Sequence, residues 1–269
     1  MTSAYVHGYD AAENRRLHDQ ARTLETLLHA GTEFPEGSEV LEAGCGVGAQ
    51  TVPLIRGSPG ARFTCVDLSV ASITAAEVRV RAASLPLPTF GQADIRAMPF
   101  ADASFDHVFV CFVLEHLPSP ELVLAELHRV LRPGGSLTVI EGDHGSALFH
   151  PDDPAARAVI RCQSELQRRS GGDANVGRRL YPLLVGAGLR SVAVSPRLVY
   201  VDASRPTLVD GFIRDTFVAM VAGVRTDAIR TGLADAAGFD AGIAALLRTA
   251  EPDGVFCYTF LKAIGFRSG

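Results

Sequence analysis

Apolar and polar positions alternate along the first half of the chain in a rhythm that predicts strands and helices in turn. Glu39-Val40-Leu41-Glu42-Ala43 reads as a short strand ending in glycines, followed by a helix from about Ala49 to Arg56. Arg62 to Asp67 predicts a second strand, and Ser69 is placed to cap a helix running to about Ala83. A third, short strand falls on Thr89-Phe90-Gly91. The run from Phe105 to Phe112, preceded by polar Asp102 and Ser104, predicts the fourth. Pro120 takes the favoured first-turn position of a helix over 119–131, and Arg132-Pro133-Gly134-Gly135 turns the chain into a fifth strand, Ser136 to Glu141. Upstream, Asp10 to Ala30 predicts a helix. Asp10 and Glu13 have capping-box spacing, Leu17, Leu24, Leu27 and Leu28 form one stripe, and Gly31 ends it.

Strands separated by helical stretches of this length need crossover connections, hence a parallel sheet. Their nearly continuous apolar character agrees, because a parallel sheet is covered on both faces. The expected architecture is a doubly wound α/β fold, Rossmann-like, whose ligand lies beyond the carboxyl ends of the strands. After Gly142 the rhythm changes. An Arg-rich helix is expected over Pro151–Ser170, a break at Gly171-Gly172, a helix over Arg178–Ala187 and a strand over Leu189–Val201. Ser204 to about Leu247 reads as mostly helical, with Gly211, Gly223, Gly232 and Gly238 as breaks, before a last strand over Gly254–Phe266. The middle of this tail exceeds what a sheet can hold and is read as a cap. The expected division is an N-terminal helix and lid (1–35), a ligand-binding core (36–145), a cap and substrate region with sheet elements (146–250) and a final core strand (251–269).

Composition narrows the function. With 269 residues, 47% of them hydrophobic and 20% charged, the chain supports a full core. Its net charge of −5 argues against a nucleic-acid partner, although Arg168, Arg169, Arg178 and Arg179 form a local basic run. Cys45, Cys65, Cys111, Cys162 and Cys257 are scattered without a C-x-x-C pair and read as small buried hydrophobes, with no metal site expected. The start of the chain lacks a charged residue followed by an apolar stretch, and no apolar run reaches membrane-spanning length. A soluble, cytoplasmic protein is expected.

The stretch Val40 to Ala49 carries the most chemistry. A strand ending in alternating glycines lets backbone approach a ligand closely before the next helix. Read as Gly44-x-Gly46-x-x-Ala49 it fits the dinucleotide fingerprint. Read as Glu42-x-Gly44-x-Gly46-x-Gly48 it resembles the first motif of class I S-adenosylmethionine-dependent methyltransferases. Glu42 favours the second reading, because a carboxylate there repels a pyrophosphate and attracts an ammonium or sulfonium. Asp67, about twenty residues on, suits the ribose of either ligand. Asp94, in Gly91-Gln92-Ala93-Asp94-Ile95, is a third acid at a strand end.

The resemblance continues in order through Asp94 to Phe100, Ser104 to Val110, Leu114-Glu115-His116-Leu117 and Leu131 to Gly135, and so covers Glu39 to Glu141 in detail. It implies a mostly parallel seven-stranded sheet with an antiparallel last strand and a helical cap inserted after the fifth. It also implies S-adenosylmethionine as cofactor, S-adenosylhomocysteine as product and a small-molecule methyl acceptor. Gly44, Gly46 and Gly48 are then expected along the methionine and ribose side, and Glu42 toward the methionine ammonium. Asp67 is expected on the ribose with Leu68 against adenine, Asp94 and the Ile95 amide on the adenine edge, and Cys111 and Phe112 near the methyl group. Gln50 is a further candidate contact. Tyr5 or Tyr9, in an N-terminal segment that reads as a lid, would fold over the cofactor, with Arg16 pairing its carboxylate.

A methyl on a sulfonium is already activated, so the enzyme aligns donor and acceptor for in-line displacement and needs a base only for a proton of high pKa. His144, in the cluster Glu141-Gly142-Asp143-His144, and His116 are the candidate bases; Tyr181 and Arg178 are further substrate contacts. A nicotinamide-dependent oxidoreductase remains an alternative. So does a cofactor-binding protein of this fold without methyl transfer, a sensor or pericyclic enzyme. No Asn/Asp-Pro-Pro-Tyr/Phe motif follows the fourth strand, where Cys111-Phe112-Val113-Leu114 stands, which again points away from nucleic-acid methylation.

Overall fold

The computed structural model describes residues 23–269. Seven strands form one sheet: β1 (Glu39–Ala43), β2 (Arg62–Asp67), β3 (Thr89–Gln92), β4 (Phe105–Cys111), β5 (Leu131–His150), β6 (Arg190–Asp202) and β7 (Val255–Phe266). Their order across the sheet is β3-β2-β1-β4-β5-β7-β6. β1 to β5 pair in parallel, and β7 runs antiparallel to both of its neighbours. The order reverses at β1, between β2 and β4, and that is where such a sheet opens a crevice.

Neighbouring residues of the central strands enter different cores, as a side-chain period of two requires. Val40, Phe109 and Ile140 pack on one face with residues of the helical segment 23–29 (α1) and of α2 (Thr51–Gly57). Leu41, Val108 and Val139 pack on the other face with α4 (Pro120–Val130) and α6 (Leu180–Gly186). Each such aliphatic side chain contributes about 1.5–3 kcal/mol by leaving water. α3 (Val70–Ala82) begins at Ser69, whose hydroxyl accepts from the Ser72 amide. α5 (Pro154–Arg169) begins at Asp153, which accepts from the Ala155 amide.

Past β6 the chain is helical in consecutive pieces: α7 (Pro206–Leu208), a π-wound segment Val209–Val218, α8 (Ala219–Gly223), α9 (Arg225–Arg230) and α10 (Ala236–Arg248). Gly223 ends α8 and Gly232 follows α9, but Gly211 and Gly238 do not break helices. Gly211 lies inside the π-wound segment, where the Thr216 hydroxyl donates to its carbonyl at 2.6 Å and a Cβ would collide with Thr23. Gly238 lies in the first turn of α10, its amide capped by Asp235 at 2.7 Å. β5 also outruns its expected end at Glu141. β7 continues the pairing from Ser136↔Phe266 to Asp143↔Thr259 and, after a register shift, from Leu148↔Cys257 to His150↔Val255.

The basic run is matched by acids. Arg168 and Arg169 pair with Glu165, Arg178 with Asp143, and Arg179 with Asp173 and Glu121. All five cysteines are free thiols. Among the described residues no helix is long and apolar enough to cross a membrane. Lys262, in the middle of β7, is 1% exposed. Its ammonium donates to the Ala30 carbonyl at 3.0 Å and to the Thr32 hydroxyl, closing the end of α1. Burial, reinforced by nearby Arg197, pushes its pKa down to about 8.

Candidate active site

The loop leaving β1 is built on three glycines with left-handed backbone: Gly44 at φ +80°, Gly46 at +51° and Gly48 at +76°. Their surroundings differ. A Cβ on Gly44 would stand 2.6 Å from Cγ2 of Val113, and one on Gly48 2.9 Å from Cα of Ala76. Those two glycines let the loop close against the β4 exit and against α3. A Cβ on Gly46 meets nothing within 4 Å, so its backbone borders open space beside the sheet's crevice.

Glu42 lies beneath this loop rather than in it. Its side chain is 2% exposed and accepts the Thr51 hydroxyl at 2.6 Å, which fastens β1 to the start of α2. Burial pushes its pKa up to about 7. The fixed anion expected there is thus a carboxyl that titrates near neutrality. Asp67, at the end of β2, accepts the Gly46 amide on Oδ2 and the Ser69 amide on Oδ1, both at 2.9 Å. Leu68 beside it is 54% exposed, an apolar surface at the crevice. Asp94 is gripped by Arg96 through both oxygens, at 2.9 and 2.6 Å, and that guanidinium holds its carboxyl below the usual range. Ile95 packs against the second core.

Gln50 faces inward: its Oε1 is 2.7 Å from Nε2 of His29. Cys111 ends β4, its thiol pushed well up by burial. Phe112 turns the chain with φ +57°, and its ring centroid is 5.4 Å from that of Phe260. The fold therefore gathers Glu42, Gly44, Gly46, Gly48, Asp67 and Leu68 at the adjacent ends of β1 and β2, with Cys111 and Phe112 at the end of β4. Tyr5, Tyr9 and Arg16 lie outside the described residues.

A second polar group lies just past the end of β4, against the stretch of β5 from Glu141 to His144. Glu115, in a one-turn 3₁₀ helix (Leu114–His116), presents Oε1 3.5 Å from Nε2 of His116 and Oε2 3.7 Å from Nε2 of His144. Burial alone would push the Glu115 carboxyl up, yet His116, His144 and Gln167 together hold it below the usual carboxylate range. Gln167 donates to both the carboxylate and the carbonyl of Glu115, at 3.2 and 2.9 Å. The turn at 172–175 completes the frame: the Asp173 amide donates to the Glu115 carbonyl at 2.8 Å, and the His144 amide to the Ala174 carbonyl at 3.0 Å. Glu141, fully buried, accepts the Val113 and Leu114 amides at 2.9 and 2.7 Å. Burial, and then repulsion from Glu115, pushes its carboxyl well up. Asp143 holds Arg178 through both oxygens. The rings of Tyr258 and Phe217 stand 5.7 and 6.2 Å from His144.

Tyr181, 57% exposed, is absent from this group. Gln167, Phe217 and Tyr258 belong to it and escaped the sequence reading. Gln163 and Gln167, bonded at 2.9 Å, carried a usable signal: two amides four residues apart on the buried stripe of α5. The turn at 172–175 also walls an open cleft of about 1060 Å³ that runs between α5 and residues 233–238.

The donor set fits S-adenosylmethionine: a glycine loop with open space at Gly46, a strand-end carboxylate at Asp67 and an exposed apolar side chain at Leu68. Comparison with known proteins agrees. Residues 41–139 match the family model described as a methyltransferase domain. An uncharacterised 37.1 kDa protein of a Streptomyces fradiae transposon is 33% identical over 208 residues, 76% of this chain and 59% of that protein. The methyltransferase GfsG of Streptomyces halstedii is 32% identical over 52% of this chain and 51% of its own length. A demethylmenaquinone methyltransferase of Renibacterium salmoninarum is 31% identical over 51% and 54%. The chain thus spans between half and three fifths of the length of these three relatives. Among solved structures, a Haemonchus contortus phosphoethanolamine N-methyltransferase shares the fold with a TM-score of 0.55 at 16% identity, over 92% of this chain and 53% of that one. Its structure holds S-adenosylhomocysteine and phosphomonomethylethanolamine. Over residues 41–139 the chain thus resembles the methyltransferase family, and its seven-stranded sheet is the fold it shares with that solved methyltransferase.

Proposed function

We propose that this protein transfers a methyl group from S-adenosylmethionine to a small-molecule acceptor inside the cell. The observation that carries the reading is the juxtaposition of two sites along one edge of the sheet. An open glycine turn beside Asp67 lies at the ends of β1 and β2, and a buried histidine–carboxylate group lies just past the end of β4, against the stretch of β5 from Glu141 to His144. The free thiols suit a reducing compartment, the cytoplasm. Relatives named for menaquinone support a small-molecule acceptor.

When bound, S-adenosylmethionine supplies an activated methyl on a sulfonium. The backbone of Gly44, Gly46 and Gly48 lines its methionine and ribose side, with Asp67 accepting from the ribose and Leu68 covering adenine. Asp94 and the Ile95 amide serve the adenine edge, for which Arg96 yields part of its grip. Glu42 steadies the loop through Thr51 and adds negative charge beneath the ammonium once ionised. Gln50, held by His29, positions the start of α2. Cys111 and Phe112 bound the reacting centre. Tyr5 and Arg16 complete the cofactor side as lid and carboxylate partner. Residues 36–145 form the cofactor half, and 146–250 supply the acceptor half, which the cleft beside the 172–175 turn opens to solvent.

His144 takes the acceptor's proton, and His116 supports it. The displacement itself needs alignment more than acid–base help, which the rigid strand ends provide. Calorimetry with S-adenosylhomocysteine and with NADH tests the cofactor assignment. Binding of NADH alone moves the chain to hydride chemistry. Transfer of a labelled methyl from S-adenosylmethionine into a metabolite extract tests the activity. His144→Ala should slow that transfer while sparing S-adenosylhomocysteine binding; unchanged turnover removes His144 from the mechanism.

A further inference from the structure

His144 is 5% exposed, and its Nδ1 has no hydrogen-bond partner among the described residues although it is buried. An unpaired buried ring nitrogen costs free energy, so the site holding it is built for something that meets it. The other nitrogen, Nε2, faces Glu115 Oε2 at 3.7 Å. That is an electrostatic contact rather than a short hydrogen bond, and it decides which nitrogen carries the hydrogen. A carboxylate attracts an N–H and repels a lone pair, so the neutral ring keeps its proton on Nε2 and presents the Nδ1 lone pair.

We infer that Glu115 is a positioning residue shared by two histidines: it fixes His144 in the Nε2–H form, leaves Nδ1 to take the acceptor's proton, and stabilises the imidazolium that results. The inference rests on the methyltransferase reading above and goes beyond it by naming the reacting atom and the group that aims it. The acceptor's X–H bond would break as its electron pair forms the bond to the methyl carbon, the pair of the methyl–sulfur bond would stay on sulfur as the neutral thioether of S-adenosylhomocysteine, and the proton would bind Nδ1. The positive charge gained by His144 is balanced by Glu115. The acceptor class this serves is one whose nucleophile must lose a proton as it reacts, such as a phenol or an enol. A neutral amine already has a free lone pair for attack.

His116 approaches the other oxygen of the same carboxylate, Oε1, at 3.5 Å, and its side chain is 19% exposed. The two rings thus share one carboxylate, each facing its own oxygen. The surroundings leave Glu115 as the controlling charge. Glu141 is a buried carboxyl pushed well up, Asp143 is paired with Arg178, Tyr258 is pushed well up by burial, and the π-wound segment brings the Phe217 ring against His144.

The test is the tautomer of His144 in histidine-labelled protein near neutral pH with S-adenosylhomocysteine present, read by imidazole ¹⁵N shifts. The expected wild-type result is His144 in the Nε2–H form. Glu115→Gln should abolish that preference, because an amide can offer its N–H as readily as its oxygen to the ring. Glu115→Asp, which withdraws the carboxylate by one methylene, should weaken it, and it decides the matter if Glu115→Gln does not fold. An Nδ1–H form of His144 in the wild type, or an Nε2–H preference that neither variant weakens, overturns the inference. Wild-type protein that fails to bind S-adenosylhomocysteine defeats the methyltransferase reading instead. Binding without an Nε2–H preference defeats only the role given to Glu115.

Discussion

The glycines of the β1 loop separate folding from binding more cleanly than the motif itself does. Gly44→Ala and Gly48→Ala must each hold a side chain at φ near +80° and displace Val113 or the backbone at Ala76. Each should lower unfolding free energy by about 2–3 kcal/mol in urea titrations. Gly46→Ala, with open space at its Cβ, should lose only about 1 kcal/mol, and its main effect should be a loss of S-adenosylhomocysteine affinity in calorimetry. Equal stability losses at all three positions would contradict this division. Glu42 offers a second test. Its folded pKa of about 7 lies above the ordinary 4.5, so the folded state holds more protons than the unfolded chain between those values. Stability from this group is full below about pH 4.5 and is lost as pH rises through 7. Glu42→Gln should flatten that part of the stability–pH curve. The acids themselves were legible in the sequence. Their partners were not, because Thr51, Arg96 and the Ser69 amide meet them only after the turns have formed.

At the scale of elements, strands and helices of the first half follow the apolar pattern because each strand is covered on both faces. Val40-Leu41 and Val108-Phe109 could have no other reading. The pattern failed where a neighbour supplies what the segment lacks. β5 continues through polar Glu141 and Asp143 because β7 pairs with them, and Gly211 stays helical because Thr216 bonds its carbonyl. The group around Glu115 was legible only in pieces. Its carboxylate, His144 and Gln167 come from three separate elements joined by the turn at 172–175. Lys262 left a plain mark, a lone cation within an apolar strand. It ties β7 to the end of α1, the helix whose His29 holds Gln50. Its pKa near 8 lies below the free value of 10.5, so the unfolded chain holds more protons between those values and stability should rise with pH across that window. Lys262→Met should remove this rise in denaturation midpoints measured from pH 8 to 10.5.

For the whole molecule, cofactor binding and folding are linked. A product analogue that binds only the folded state at a hundred times its dissociation constant adds about 2.7 kcal/mol. In a domain of this size that raises the melting temperature by roughly 5–10 °C. S-adenosylhomocysteine should give such a shift and NADH none; the opposite order would favour the dinucleotide reading of the glycine turn.

The sheet's outer margin carries a last consequence. Among the described residues β6 is the last strand of the sheet, and Pro196 stands within it opposite Leu261. Proline brings no amide hydrogen, so another polypeptide seeking to lengthen the sheet finds a poor template there. At high concentration, self-association by strand addition should be discouraged along β6, and Pro196→Val is the change that would invite it.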